Sequence, residues 1–327
     1  MIGNQSIQRP VLLAFLLLLL SPAGALARDA KPVQACASDQ AGPYGTVALL
    51  SRKASVSEAD FYQYWRDIHG VLATRIPGFW TYRQYHIGAE ISSLRRLPKG
   101  YNKGIEPLDG FADVSFCTSE DIAGLATSKE AELIKHDEQN LFANSYLYAS
   151  AAGDSLTLLR EAPFATLAAA NVGESLVMLV AKAAEESSTE FKSGLLAALK
   201  ALSERCAVQR LRLNFFQKYN AEAWSAPGVN HRPVQEYDAS IEFLFADHHA
   251  ALSCLSNSSV FSASASGIAG QRLQVLYTVA RRYAMVAGGR ISLLGLRGLP
   301  AVELMARMGA TNQQSHAVLK VVYGRGE

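Results

Sequence analysis

The sequence is poor in charged residues, which make up 18% of the chain and sum to a net charge of only +2. Its basic residues form no stripe or cluster, so nothing favours nucleic acid as a partner. The glycine-rich motifs of dinucleotide and phosphate binding are missing, and so is the G-x-S-x-G elbow of serine hydrolases. No histidines show H-x3-H spacing and no cysteines show C-x-x-C spacing, so neither a zinc nor an iron centre is predicted.

Long apolar runs are scarce too. The N-terminal run spans residues 11–20, about half of the roughly 20 residues that a membrane-spanning helix needs. Arg9 precedes this run and Ala25-Leu26-Ala27 follows it, which is the pattern of a cleaved signal peptide. We therefore predict a signal peptide over residues 1–27 and an exported, periplasmic or secreted protein without stable membrane insertion. A retained N-terminal anchor is the alternative.

Cysteines are few but even in number. They are Cys36, Cys117, Cys206 and Cys254. In an oxidising compartment four cysteines can form two disulfides in three alternative pairings. Buried free thiols are the other interpretation, and the sequence does not choose between them.

The chain contains an internal repeat at an offset of 130 residues. Residues 46–61 (TVALLSRKASVSEADF) align without a gap to residues 176–191 (LVMLVAKAAEESSTEF). Each copy has an apolar run of strand type and then a serine followed three residues later by an acid, which is the capping-box signature of a helix start. The pairs are Ser57 with Asp60 and Ser187 with Glu190. Both copies therefore begin with a strand and a helix.

The rest of each copy corresponds with small shifts. The paired segments are residues 79–85 and 212–218, which share a glutamine, residues 111–116 and 238–243, predicted helices over 119–133 and 247–260, and final strands over 145–151 and 271–283. The order β-α-β-β-α-β, twice, predicts an α+β protein of two tandem ferredoxin-like repeats. Since each sheet alone would leave one apolar face bare, we expect the two faces to stack as a pseudo-dimeric α+β barrel within one chain.

This organisation divides the chain into three segments. The signal peptide is followed by a first ferredoxin-like domain at residues 28–165, which carries the candidate site. A second, degenerate domain with a C-terminal extension covers residues 166–327. In the extension, a short helix is predicted after Pro300 and a strand over residues 317–323.

Aromatic and polar residues concentrate early in the first copy. Three residues spaced four apart share one stripe of the predicted helix: Phe61, Trp65 and His69. Alternate residues of the following strand share one face: Trp80, Tyr82, Gln84 and His86. Such a polar face needs partners, solvent or a ligand, because buried polar groups without hydrogen bonds are costly. Ordinary core packing is the other interpretation of the helix stripe.

These residues, in this order, resemble the EthD family. The pattern comprises Phe61-x3-Trp65-x3-His69-Gly70, Pro77-Gly78, Tyr82-x-Gln84-x-His86, Asp109-Gly110, Asp137-Glu138 and Phe142. The resemblance covers about residues 47–148, and the second copy shares only the strand–helix skeleton. It implies the dimeric α+β barrel fold, in agreement with the repeat. It also implies an oxidoreductase, with decarboxylases and cofactor-free monooxygenases of aromatic compounds among the relatives.

By this resemblance His69 is the first candidate for proton transfer and His86 the second, since imidazole exchanges a proton near neutral pH. The candidate substrate-binding residues are Phe61, Trp65, Trp80, Tyr82 and Gln84. The expected function is a cofactor-independent oxidoreductase or decarboxylase-type enzyme that acts on a small aromatic or hydrophobic molecule. It would use neither metal nor organic cofactor.

Two other functions remain open. One is a non-catalytic periplasmic protein that binds a small molecule or haem, with His69, His86 or His231 as the axial ligand. The other is a structural interaction module without a ligand-sized cavity.

The second copy lacks the polar groups of the first, since Leu195 and Leu199 stand where the offset places Trp65 and His69. This difference indicates that one half carries a site and the other completes the barrel, although an inactive pair of halves would show it too. His136-Asp137-Glu138 is interpreted as a solvated helix end. The long loop of residues 88–108 suits either a lid over an anionic substrate or a solvated surface, through Arg95, Arg96, Lys99 and Lys103.

Overall fold

The computed structural model describes Cys36 and residues 42–159, 173–256 and 271–323. The predicted signal peptide, the predicted domain boundary after residue 165 and the end of the helix predicted over residues 247–260 lie outside these residues. In the described part of the chain, no helix combines the length and apolar character needed to cross a membrane.

The first half follows the predicted element order. Its elements are β1 (Tyr44–Arg52), α1 (Glu58–Tyr64), a π-helical turn (Trp65–His69), α2 (Gly70–Ala73), β2 (Thr81–Glu90), β3 (Gly110–Phe116), α3 (Ser119–Thr127), α4 (Lys129–Glu138) and β4 (Phe142–Ser150). The single helix predicted over residues 119–133 is wrong, because Ser128 ends α3 and caps α4 by accepting a hydrogen bond from the Ala131 N–H.

The second half repeats this order after one additional strand. Its elements are β5 (Ser155–Leu159), β6 (Glu174–Ala181), α5 (Ser188–Arg205), β7 (Arg210–Phe215), β8 (Ala239–Phe245), α6 (His248–Ser256) and β9 (Leu273–Ala287). The extension then adds β10 (Arg290–Ile291), α7 (Leu293–Arg297), α8 (Leu299–Arg307) and α9 (His316–Tyr323). Helix α8 confirms the helix predicted after Pro300.

The strand predicted over residues 317–323 is wrong, because this segment is helix α9. Its valines favour a strand by propensity, but Ser315 sets up a helical first turn. The Ser315 hydroxyl accepts from the Val318 N–H and its carbonyl accepts from the Leu319 N–H.

Ten strands of the described residues form one antiparallel sheet in the order β4-β1-β3-β2-β9-β6-β8-β7-β5, with β10 paired to β9. Each half contributes the same ferredoxin-like order, β4-β1-β3-β2 and β9-β6-β8-β7. The 15-residue β9 joins the halves, since it pairs with both β6 and β2. At the other junction β5 pairs with β7, and the Gln217 N–H donates to the Ala149 carbonyl of β4 at 2.8 Å. The sheet is a nearly closed barrel, which confirms the predicted fold class.

The inner face of this barrel is a shared core. Residues from both halves meet there, including Val47, Leu49, Tyr85, Phe111, Val177, Leu179, Val275 and Tyr277. A buried ion pair also crosses the interior, where the Arg212 guanidinium donates to both oxygens of Asp113 at 2.8 and 3.0 Å. The apolar faces that single sheets would leave bare therefore pack on each other. Two further clusters fill the space between the sheet and the helices, one in each half.

The predicted helix caps are present, with one difference. The hydroxyls of Ser57 and Ser187 accept from the N–H groups of Asp60 and Glu190 at 3.1 and 3.2 Å. In the second half the Glu190 carboxylate also accepts from the Ser187 N–H and completes the capping box. In the first half the Asp60 carboxylate accepts from the Ser57 hydroxyl at 2.6 Å instead, so helix α1 begins with a serine cap and no capping box.

The predicted correspondence of the second and third strands is wrong by a few residues. Through their pairing with neighbouring strands, Tyr82 and Gln84 of β2 are equivalent to Leu211 and Leu213 of β7. Residues 111–116 likewise match 240–245 rather than 238–243. The glutamine shared by the two sequences misled the alignment, because the hydrophobic pattern and the turns set strand register and a single matching residue does not.

Each half contains one disulfide. Cys36 bonds to Cys117, and Cys206 bonds to Cys254. This is one of the three pairings that the sequence left open, and each bridge stays within one half of the repeat.

Candidate functional site

The candidate site lies between β2 and the helices of the first half. Tyr82 packs in the cluster under these helices, and His86 stacks on aromatic rings of the helix layer. Tyr85, between them, packs inside the barrel. The sequence alternation thus placed Tyr82, Gln84 and His86 on one face, and the structure shows that this face points toward the helices.

A π-helical turn positions Trp65 and His69. The Gly70 N–H donates to the Trp65 carbonyl five residues earlier, and the side-chain amide of Gln84 donates to the same carbonyl at 3.0 Å. Gly70 permits this approach, because a Cβ there would lie 2.4 Å from Gln84 Nε2. Gly110 similarly leaves room for the Trp65 indole, which a Cβ would meet at 2.8 Å. The glycines of the recognised pattern thus let helix and sheet meet closely.

His69 forms a buried pair with an aspartate. Its Nδ1 lies 2.9 Å from Asp137 Oδ2, and His69 is only 5% exposed. The Asp137 carboxylate also accepts from the Tyr64 hydroxyl at 2.7 Å and from the Asn140 amide at 3.0 Å. Burial raises the pKa of Asp137, but the hydrogen bonds from His69 and Tyr64 outweigh it and hold this pKa below its usual value. The anchored carboxylate fixes the imidazole and leaves Nε2 for proton exchange.

His86 lies in an aromatic enclosure. Its ring stacks between Tyr62 and Trp65 at centroid distances of 4.4 and 5.0 Å, and the edge of Tyr283 closes a third side at 4.9 Å. Its Nε2 is buried without a hydrogen-bond partner among the described residues. Burial lowers the pKa of His86 to about 3, and the Arg66 guanidinium adds to the shift. His86 is therefore neutral at neutral pH and is a poor proton donor there.

The other predicted residues fall into two groups. Gln84 donates to the Tyr82 hydroxyl at 2.8 Å, and Phe61 packs against Trp65 with the ring centroids 5.8 Å apart. Gln84 Oε1 is buried without a partner in the described part of the chain. Trp80 is separate, since it precedes β2 and packs against the turn at Gly289. The structure therefore brings together four of the five predicted substrate-binding residues and leaves Trp80 outside.

The two predicted catalytic histidines have different neighbours. His69 contacts Phe142 edge to face at 5.3 Å, whereas His86 contacts Tyr62, Trp65 and Tyr283. Among the ring contacts of the described residues, none joins the two imidazoles. They belong to one aromatic cluster but do not form a pair.

The second half has a plain apolar core at the equivalent place. Leu195 and Leu199 are fully buried on the regular helix α5, which has no π-helical turn. The strand face equivalent to Tyr82, Gln84 and His86 is Leu211, Leu213 and Phe215. The asymmetry predicted from the helix therefore extends to the strand.

A small cavity adjoins the cluster. Its volume is about 70 Å³, and its walls include Ala73, one turn after His69, and Tyr82. Glu138 and Trp224 also line it. Trp224 comes from the loop between β7 and β8, so the second half contributes a wall to a cavity of the first.

Glu138 is a functional candidate that the sequence interpretation missed. The prediction of a solvated helix end holds for His136, which is exposed, but is wrong for Asp137 and Glu138. Glu138 is 4% exposed and accepts from the Trp224 indole N–H at 2.7 Å. Burial raises the pKa of Glu138 to about 8, and the hydrogen bonds that it accepts offset only part of this effect. Its membership of the recognised pattern was the available signal.

The residues at the cavity do not fit a haem. The volume of about 70 Å³ is far below the roughly 300–1,000 Å³ of typical ligand pockets. His231, one candidate axial ligand, uses both ring nitrogens: Nδ1 lies 2.7 Å from the Ser145 carbonyl and Nε2 accepts from the Ala226 N–H at 2.9 Å. Within the described residues, no group of three or more His, Cys, Asp or Glu side chains could hold a metal ion.

The loop of residues 88–108 reaches the second half. Its Arg96 exchanges two backbone hydrogen bonds with Gln274 of β9, at 2.9 and 2.8 Å. Ile91 and Leu94 pack on the helix-side cluster of the second half. Arg95 is paired with Glu90 at 2.5 Å. These contacts hold the first part of the loop against the second half and do not decide between the two interpretations, a lid over an anionic substrate and a solvated surface.

Comparisons with known proteins gave solved structures of low sequence identity. No curated protein matches the chain. Among solved structures, a candidate monooxygenase from Lactobacillus acidophilus NCFM is 11% identical over 77% of this chain and 99% of its own, with a TM-score of 0.46. An anthrone oxidase-like protein is 10% identical over 79% and 98%, with a TM-score of 0.46. A mutant chlorite dismutase from Candidatus Nitrospira defluvii is 10% identical over 74% and 92%, with a TM-score of 0.35.

The family match is more specific and falls on the candidate site. Residues 53–145 match the model of the EthD domain. This segment holds His69, His86 and Asp137, whereas Trp224 and Tyr283 lie beyond it. The resemblance predicted from the sequence is therefore confirmed: residues 53–145 of this chain correspond to an EthD domain.

Proposed function

We propose that the protein is a cofactor-independent enzyme of oxidoreductase or decarboxylase type, which acts on a small aromatic or hydrophobic molecule through His69. The observation that carries this proposal is the buried His69–Asp137 pair within the segment that matches the EthD domain. Export to the periplasm or beyond belongs to the same proposal and rests on the N-terminal signal pattern alone.

The His69–Asp137 pair suits removal of a proton from a carbon acid or a phenol. With Nδ1 held by Asp137, Nε2 of His69 would take the proton, and the carboxylate would stabilise the imidazolium that forms. The resulting carbanion or phenolate is electron-rich and can reduce dioxygen directly. In anthrone, for example, such oxidation consumes one dioxygen and yields anthraquinone and one water.

The residues around His69 would bind the substrate and would not exchange protons with it. His86 is neutral at neutral pH because burial lowers its pKa to about 3. Its Nε2 and Gln84 Oε1 are buried without partners among the described residues. Gln84 Oε1 would accept a hydrogen bond from a substrate, and His86 Nε2 would donate or accept one according to its tautomer. Trp65 and Phe61 supply the aromatic wall.

Oxygen uptake with anthrone as the probe tests the acid/base role. His69→Ala should lose about 10²–10⁴-fold in rate, the usual contribution of a positioned base. Asp137→Asn should lose about 10–100-fold, because the imidazole loses its orienting carboxylate. His136→Ala is the matched control, since His136 is an exposed histidine on the same helix as Asp137.

Binding separates an enzyme from a carrier. In native mass spectrometry His69→Ala should retain the bound aromatic molecule while uptake is lost. If wild-type and His69→Ala proteins, both folded, consume oxygen at the same rate, His69 is not the base. Equal loss of binding and uptake in a folded His69→Ala variant would also refute the acid/base role.

A further inference from the structure

Glu138 is a buried titratable group that the chemistry at His69 does not use. It ends α4 directly after Asp137, and its Oε1 is occupied by the Trp224 indole N–H at 2.7 Å. The Ser145 side chain, in the same cavity wall, is also a hydrogen-bond partner of this carboxyl group and lowers its pKa, yet Oε2 itself has no hydrogen bond of good geometry from the described residues. A buried oxygen without a partner is costly, so this carboxyl group calls for a ligand or a water molecule.

A second polar atom faces the same cavity. Thr46 lies on β1, is 4% exposed, and its Oγ1 has no hydrogen-bond partner in the described part of the chain. The remaining walls are mainly apolar and include Ala48, Ile76, Phe79, Ala112, Val114, Leu125, Ile134 and Leu147. A few convergent polar atoms within an apolar lining are typical of a small-molecule site.

We propose that this cavity is the inner end of the substrate site, where Glu138 and Thr46 bind the hydroxyl group of a neutral hydroxyarene, and that the Trp224 indole moves aside when the ring enters. The inference rests on the proposed function, because it names the substrate class of that same site. It adds two binding residues and a cap supplied by the second half.

The chemistry of Glu138 suits a hydroxyl partner. Because burial raises its pKa to about 8, the carboxyl group is mostly protonated at pH 7 and can donate as well as accept. The charged neighbours, Asp137 and Lys135, have opposite effects on this pKa. A neutral carboxylic acid in an apolar cavity favours a neutral ligand, since an anion would lose its hydration without gaining a cation.

The cavity requires Trp224 to move. A volume of about 70 Å³ does not admit an aromatic ring, since an apolar cavity of roughly 150 Å³ is needed to hold benzene. Trp224 is carried by a loop, is linked to Glu138 through its indole N–H, and lies under the Lys135 ammonium at 5.2 Å. An incoming ring of similar size would replace the apolar contacts of the indole.

Fluorescence titration with 1-naphthol and naphthalene at pH 7 tests the inference. The two probes differ only in the hydroxyl group, and wild-type protein should bind 1-naphthol at least about 10-fold more tightly. Glu138→Met should abolish this preference and retain affinity for naphthalene, whereas Glu138→Gln should keep a preference. Trp224→Phe should raise the association rate constant several-fold, and Trp80→Phe, outside the site, should leave it unchanged.

Several outcomes would overturn the inference. They are equal affinities for the two probes, no binding of either probe, and an unchanged preference in Glu138→Met. Any of these results would mean that the partner of Glu138 is a buried water molecule. If Glu138→Met fails to fold by circular dichroism, Thr46→Val decides, and it should reduce the preference severalfold. If His69→Ala loses oxygen uptake but the preference for 1-naphthol does not depend on Glu138, this inference alone is refuted. A Glu138-dependent preference without uptake refutes the proposed function alone.

Discussion

Replacing Asp113 by alanine is expected to destabilise the barrel by about 3–5 kcal/mol. Asp113 and Arg212 are both fully buried, and two hydrogen bonds of 2.8 and 3.0 Å join them. Removal of the carboxylate would leave the guanidinium charge in the interior with weaker partners, which are the hydroxyls of Ser155 and Thr157 at 2.9 and 3.5 Å and Glu242 at 3.8 Å. A loss of this size is a large fraction of the roughly 5–15 kcal/mol that stabilises a domain.

Urea unfolding followed by circular dichroism measures this loss. Glu222→Ala is the control, because it breaks an exposed ion pair, Glu222 with Arg232 at 3.6 Å, and should cost less than about 1 kcal/mol. Asp113→Asn keeps one acceptor oxygen and should lie between the two. If Asp113→Ala costs no more than the control, the charge of Arg212 is compensated elsewhere and the reasoning is refuted.

Two further predictions concern the candidate site. As the pH falls from 6.5 to 3, buried His86 should lower the free energy of unfolding by up to about 1.4 kcal/mol per pH unit. The reason is that unfolded His86 takes up a proton in this range, whereas the folded residue, with a pKa of about 3, does not. Urea unfolding at several pH values should show this slope in wild-type protein and not in His86→Phe, and equal slopes would contradict it. Gly70→Ala should cost about 1–3 kcal/mol, since its Cβ would lie 2.4 Å from Gln84 Nε2 and 2.8 Å from the Trp65 carbonyl. Gly104→Ala, with open space at the Cβ, should change stability by less than about 0.5 kcal/mol, and equal thermal shifts for the two variants would contradict the argument.

The fold was predictable from local signals that repeat. Ser57 and Ser187 start equivalent helices after equivalent strands. Each copy alone would leave one apolar face of its sheet exposed, and the two exposed faces can pack on each other. Strand register was not predictable in the same way. The glutamine at position 217 matched Gln84 in sequence, but hydrogen bonding to β8 places Leu213 there instead. One shared polar residue does not define register, which follows from the hydrophobic pattern of the whole strand and from the turns.

The sequence predicted which site residues share one helix or one strand. It did not predict the contacts between different helices, strands and loops. The periods of helix and strand placed Trp65 with His69 and Gln84 with His86. Direction, burial and closure depend on packing between distant segments. Glu138 reads as a polar helix end in the sequence, and it is buried because a loop from the other half lies over it. Nothing near Glu138 in the sequence indicates that loop.

The placement of Trp224 has a consequence for how this protein behaves on dilution. In a barrel built from two separate subunits, a wall that the neighbour supplies is lost when the subunits dissociate, so site closure depends on protein concentration. Here Trp224 and Glu138 belong to one chain, and the continuous strand β9 pairs with both halves. The effective concentration of the loop at the site is set by this covalent connection. Closure should therefore be the same at nanomolar and millimolar protein.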